Sequence, residues 1–77
     1  MFKKIRLKRE IERSKKQIAL LEQKRTRSQA ALMDAILQHT SPDDRDVDFF
    51  NHFTSRIDME RAKMHQLMEE LEKLEKH

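Results

Sequence analysis

The stretch His39-Thr-Ser-Pro-Asp-Asp-Arg-Asp-Val-Asp48, HTSPDDRDVD, decides how the chain folds. It holds the only proline of a sequence that has no glycine. Proline inside a helix removes a hydrogen bond and clashes with the preceding turn. At the start of one it is well placed, because its fixed φ suits the first helical position. Ser41-Pro42-Asp43-Asp44 reads as such a start, with Ser41 as cap and Asp44 completing a capping box. Asp43, Asp44 and Asp46 would lie at the positive end of the helix dipole. The chain therefore divides into helix, turn and helix. The helices are expected over about 4–39 and 43–76, with the turn within about 40–45 of a single domain, residues 1–77.

Following the chain onward, Phe50, Phe53, Ile57, Glu60, Met64, Leu67, Leu71 and Leu74 alternate spacings of three and four, which is the seam of a coiled-coil-like helix. Going back from the turn, Ala35, Leu32, Ser28, Arg25, Leu21, Ile18, Ser14, Ile11 and Leu7 repeat that spacing with smaller residues. Folding one seam onto the other gives an antiparallel hairpin. In the register that pairs Leu32 with Phe53 and Ser28 with Ile57, small residues meet large ones, as close packing requires. The one charged seam position of each helix then falls in a single layer, Arg25 against Glu60. A buried ion pair often adds little stability over apolar replacements, so this pair is expected to set register. The same register brings Glu22 near Arg61, Lys8 near Glu75 and Ile36 near Val47, and unfavourably Lys24 near Lys63. Sliding by one heptad faces Ile18 with Glu60 and Leu32 with Asp46, which reads as the poorer choice.

Composition supports an all-α reading. Charged residues make up 40% and aromatics 5% of 77 residues, which leaves little for a sheet. Without cysteine, disulfides and thiolate metal sites are excluded. No apolar run approaches the ~20 residues that span a bilayer. The basic beginning lacks the apolar core of a signal peptide, so a cytoplasmic location is expected. The net charge of +3 hides an asymmetry. Residues 1–27 hold 11 Lys/Arg against 3 Glu, or +8; residues 28–77 hold 6 against 11 Asp/Glu, or −5.

Leu20, Met33, Ile36, Leu37, Phe49, Met59 and Met68 lie outside the seam. Five of them, Met33, Ile36, Leu37, Phe49 and Met59, are expected to gather towards the turn as an oligomer or partner patch. A lone hairpin has little core. Dimerisation into a four-helix bundle is therefore expected. Arg6, Arg9, Arg13, Lys16 and Arg27 fall on one outward row of the first helix. Such a row suits nucleic-acid phosphates or an acidic protein, or is simply solvated. Membrane docking through Phe2 and Ile5 is disfavoured because Glu10 and Glu12 interrupt the charge.

Little here suggests chemistry. Asp48 and His52 share a helical face at a spacing that could hold a metal, but no third ligand converges. His39, His65 and His77 stand apart from one another. Neither a nucleophile–base arrangement nor a glycine-rich phosphate loop is present. No catalytic, cofactor-binding or metal residue is expected, no cofactor is needed, and the chain is read as no enzyme. The architecture is similar in shape to the small plasmid copy-number regulators whose helical hairpins dimerise and bind paired RNA loops, without a matching motif. Thr54-Ser-Arg-Ile-Asp58 resembles the Ser-Gln-Glu-Leu-Asp motif of the short sporulation aspartyl-phosphate phosphatases. Asp58 matches outright. The apolar pair that should follow is Glu60-Arg61 here, so the activity does not carry over. The expected function is a non-catalytic protein–protein interaction or regulatory module, present as a homo-oligomer. The alternative is a nucleic-acid-binding regulator using the basic face of the first helix.

Overall fold

A computed structural model describes residues 2–76. The first helix, α1, spans Phe2–Leu37, and the second, α2, spans Asp44–Glu75. They pack against each other as a hairpin measuring 59 × 16 × 14 Å. The helix–turn–helix division read from residues 39–48 is present.

Both helices end in local chemistry that the spacing alone did not place. α1 stops at Leu37, two residues short of expectation. His39 takes a left-handed conformation, φ 56°. This turns the chain so that the Thr40 N–H donates to the Ala35 carbonyl at 2.9 Å and the His39 N–H to Ile36 at 3.1 Å. The Thr40 hydroxyl donates to the same Ala35 oxygen at 3.1 Å. These bonds satisfy carbonyls that a helix end leaves open. Glycine usually fills that left-handed position; a chain without glycine must use another residue.

The cap of α2 is Asp43 rather than Ser41. Asp43 is extended, φ −66° and ψ 134°, and its carboxylate accepts the Arg45 N–H at 2.9 Å. Pro42 therefore precedes the cap instead of opening the helix, and Asp44 is the first helical residue. An ionised carboxylate is the stronger acceptor for an orphan N–H, so Asp43 prevails over the hydroxyl two residues earlier. Asp44 and Asp46 do lie in the first turn, where the helix dipole favours them.

Among the described residues, the buried ones are Leu7, Ile11, Ser14, Ile18, Leu21 and Ser28 of α1 and Ile57 of α2. All seven belong to the seams traced above. Ile57 is completely enclosed, packed with Ile18 and Leu21 and flanked by Phe53 and Met64.

The register differs from the expected one. Glu60 receives a hydrogen bond from the Ser14 hydroxyl at 3.4 Å. Ser14 lies eleven residues, ~16 Å, from Arg25 along α1, so Arg25 and Glu60 do not pair. Arg61 meets Glu22 at 2.7 Å, as expected. That contact is within reach in either register, but together with the Ser14–Glu60 bond it brings Glu60 close to the level of Ile18, which is the arrangement one heptad away.

The burial pattern explains the preference. Leu7 is 4% exposed. With Arg25 opposite Glu60, Leu7 would stand past Leu74 with no seam residue facing it. The slide encloses Leu7, worth about 1.5–3 kcal/mol for a fully buried side chain, although it brings Glu60 to the level of Ile18. It also spares a charged layer whose desolvation offsets most of its attraction. Glu60 remains half-buried, its carboxylate engaged by Ser14.

Candidate functional site

The Glu22–Arg61 contact identifies one side of the hairpin, and heptad steps extend it. From α1 this side receives Lys8, Lys15, Glu22 and Ile36, with Met33 further out. From α2 it receives Val47, Thr54, Arg61, Met68 and Glu75. We refer to it as the Glu22 face. At its open end lies a cleft lined by Lys8, Ile11, Lys15, His65, Met68 and Glu72. α1 lends the cleft its lysines, and most of its carboxylates come from α2. The Thr54 hydroxyl is enclosed on this side without a hydrogen-bond partner among the described residues.

The opposite side is the Lys24 face. Lys24 and Ala31 flank the seam on α1, with Arg6, Arg13, Leu20 and Arg27 one position further out. On α2 the flanking residues are Phe49, Arg56, Lys63 and Glu70, followed outward by Met59. The acids on this face are Glu10, Asp34 and Glu70, so cations dominate it. Arg13, Lys24, Arg27, Arg56 and Lys63 are all exposed. None of them forms an ion pair among the described residues; the pairs present are Lys15–Glu12, Arg61–Glu22, His65–Glu69 and Lys76–Glu72.

The seven apolar residues left outside the seam are all exposed, as are Phe2, Ile5 and Val47. They do not form the single turn-end patch expected of Met33, Ile36, Leu37, Phe49 and Met59. Helical spacing sends Met33 and Ile36 to the Glu22 face, Phe49 and Met59 to the Lys24 face, and Leu37 to the back of α1. Met59 is not near the turn either. It lies fifteen residues, ~22 Å, into α2, close to the level of Leu20. Phe49 stacks on Phe53 with ring centroids 6.2 Å apart, 18° from parallel. This anchors one edge of the exposed Phe49 ring to the seam.

The basic row divides similarly. Arg6, Arg13 and Arg27 lie on the Lys24 face; Arg9 and Lys16 lie on the back of α1. All five are exposed. The reading from α1 alone missed the contribution of α2. Arg56 and Lys63 sit in a helix whose net charge is acidic, and only the closed hairpin brings them onto the face of Lys24. The signal was that Lys24, Arg56 and Lys63 occupy the same flanking position of the heptad.

Among the described residues, no group of three or more His, Asp or Glu side chains is placed to hold a metal ion. Asp48 and His52 are exposed, and the His52 ring tilts against Phe53 at 5.6 Å. Asp58 is exposed as well. His77 lies outside the described residues. No described helix is long and apolar enough to cross a membrane. Comparison with protein-family models, curated proteins and solved structures gave no match.

Proposed function

We propose that the protein is a non-catalytic interaction or regulatory module of the cytoplasm. It presents a rigid two-helix surface and pairs with itself in a four-helix bundle. One observation carries this reading. Among the described residues, ten large hydrophobic side chains are exposed, against five that are buried. A hairpin with so small a core gains more from covering its outer surface than from anything inside it. The Glu22 face suits self-association. It carries Met33, Ile36, Val47 and Met68, and its charges are mixed in sign, so two copies can meet without a cluster of like charges. Light-scattering mass after size exclusion at low and high salt tests this. A dimer mass that persists in high salt and falls to a monomer on Ile36→Asp is expected. A monomer at all concentrations overturns the reading.

A second reading rests on a separate observation. Arg6, Arg9, Arg13, Lys16 and Arg27 are exposed and lack acidic partners among the described residues. Such a surface can follow a phosphate backbone, with affinity that falls steeply as salt rises. Binding to a mixed nucleic-acid pool that disappears at high salt, and on charge reversal at Arg9 and Arg13, would favour it over the first.

A further inference from the structure

We infer that the second copy seats on the Glu22 face with the two bends at one pole, so that α1 of each copy lies on α2 of the other. This rests on the self-pairing proposed above and adds its orientation. The Glu22–Arg61 contact at 2.7 Å fixes one level of the face. Heptad steps of ~10 Å then place Lys15 with Met68 and Lys8 with Glu75 towards the open end, and Ile36 with Val47 beside the bend. The face is therefore charged at its open end and apolar at its bend, with Glu22 and Arg61 at its middle. Ile36 and Val47 are 59% and 37% exposed. The cleft at the open end takes Lys8 and Lys15 from α1, and Glu69, Glu72 and Glu75 from α2. Glu12, also of α1, is held by Lys15 at 3.3 Å.

Two closed pairings are available to hairpins that meet through one face. In the first, the two-fold axis runs along the hairpin. Each level of α1 then meets the same level of the second copy's α2. Lys8 meets Glu75, Glu22 meets Arg61 and Ile36 meets Val47. For Lys15 the second copy offers Met68 beside the stem and Glu72 to the ammonium. At the middle, the two Glu22–Arg61 pairs form a square of alternating sign. In the second pairing the axis crosses the hairpin, the bends lie at opposite poles, and α1 meets α1. Glu22 then meets Glu22 and Arg61 meets Arg61, and like charges across an interface are strongly disfavoured. Ile36 and Val47 would also be set against the charged open end. Charge and apolar matching both select the first pairing. It turns both Lys24 faces outward and presents two bends side by side to anything at that pole.

The chain contains no cysteine, so a spin label at Ser41→Cys, in the bend, reads the orientation from the distance between the two labels of a dimer. Packed helices have axes about 8–10 Å apart, so labels on coincident bends should lie within ~30 Å of each other. A label at Lys4→Cys, near the open end, should give a distance in the same range and checks that neither substitution distorts the pair. Label distances approaching the 59 Å length of the hairpin overturn the inference. Adding Ile36→Asp to the labelled chain should abolish the short distance. A short distance that survives this change places the contact on another face and overturns the inference too. A dimer with distant labels removes the orientation and leaves the interaction role standing. A chain that is monomeric at all concentrations leaves the face to a different protein, and both readings fall.

Discussion

Single residues account for both surprises in this hairpin. Arg25 and Glu60 are the only charged positions on their seams, and on paper they invite pairing. In the structure Glu60 turns to Ser14, while the ion pair that forms across the helices among the described residues is the expected Glu22–Arg61. A double-mutant cycle to alanine should return coupling of about 0.2–1 kcal/mol for Glu22–Arg61, the range of exposed ion pairs. For Arg25–Glu60 it should return none above ~0.5 kcal/mol, as for separated sites. Chemical denaturation of the four single and two double variants reads both. His39 offers a second check. Holding a residue with a Cβ in the left-handed region costs about 1 kcal/mol, so His39→Gly should raise stability by that order and thermal unfolding should shift upward. A loss of stability would mean that the imidazole contributes something the backbone geometry does not reveal.

At the scale of the helices, the arrangement was legible and the alignment was not. The alternation of three and four residues marks the seam wherever it occurs, so Leu7, Ile11, Ile18, Leu21 and Ile57 could be identified as core without coordinates. The same repetition hides the register. Moving one helix by seven residues returns apolar residues opposite apolar residues, and only the odd positions tell the alternatives apart. Those odd positions favoured the charged layer, because sliding by one heptad faces Ile18 with Glu60 and Leu32 with Asp46. The missing consideration was Leu7, whose burial needs the slide. The caps were hard to place for a related reason. Ser41 and Asp43 are both good caps two residues apart, and the spacing does not say which of them starts the helix. Because the chain contains no cysteine, register can be tested directly. A thiol cross-linker of about 10 Å should join Ser14→Cys with Glu60→Cys far more readily than Arg25→Cys with Glu60→Cys, since the level of Glu60 lies seven residues, ~10 Å, from Arg25.

For the whole molecule, the decisive property is that its two sides differ in charge. Sequence halves suggested a basic first helix and an acidic second one. Closing the hairpin redistributes those charges, so that the Lys24 face gathers cations from both helices and the Glu22 face mixes signs. No window along the chain contains that division, which explains why the row on α1 was visible early and its continuation through Arg56 and Lys63 was not. The crowding carries a stability cost. Lys24→Glu, placed near the level of Arg56, should stabilise the monomer fold by about 0.5 kcal/mol at low salt. The gain should fade as added salt screens the face. An equal gain at high salt would show that helix propensity, not charge, is responsible.

The hairpin is 59 Å long and only 16 Å across. Phe2 and Glu75 leave it at one pole, and the Thr40–Asp43 bend forms the other. Anything joined to both of those residues would sit side by side at the base, with the bend held far out in front. The hairpin thus acts as a ruler, setting whatever lies at its base and its bend apart by its own length.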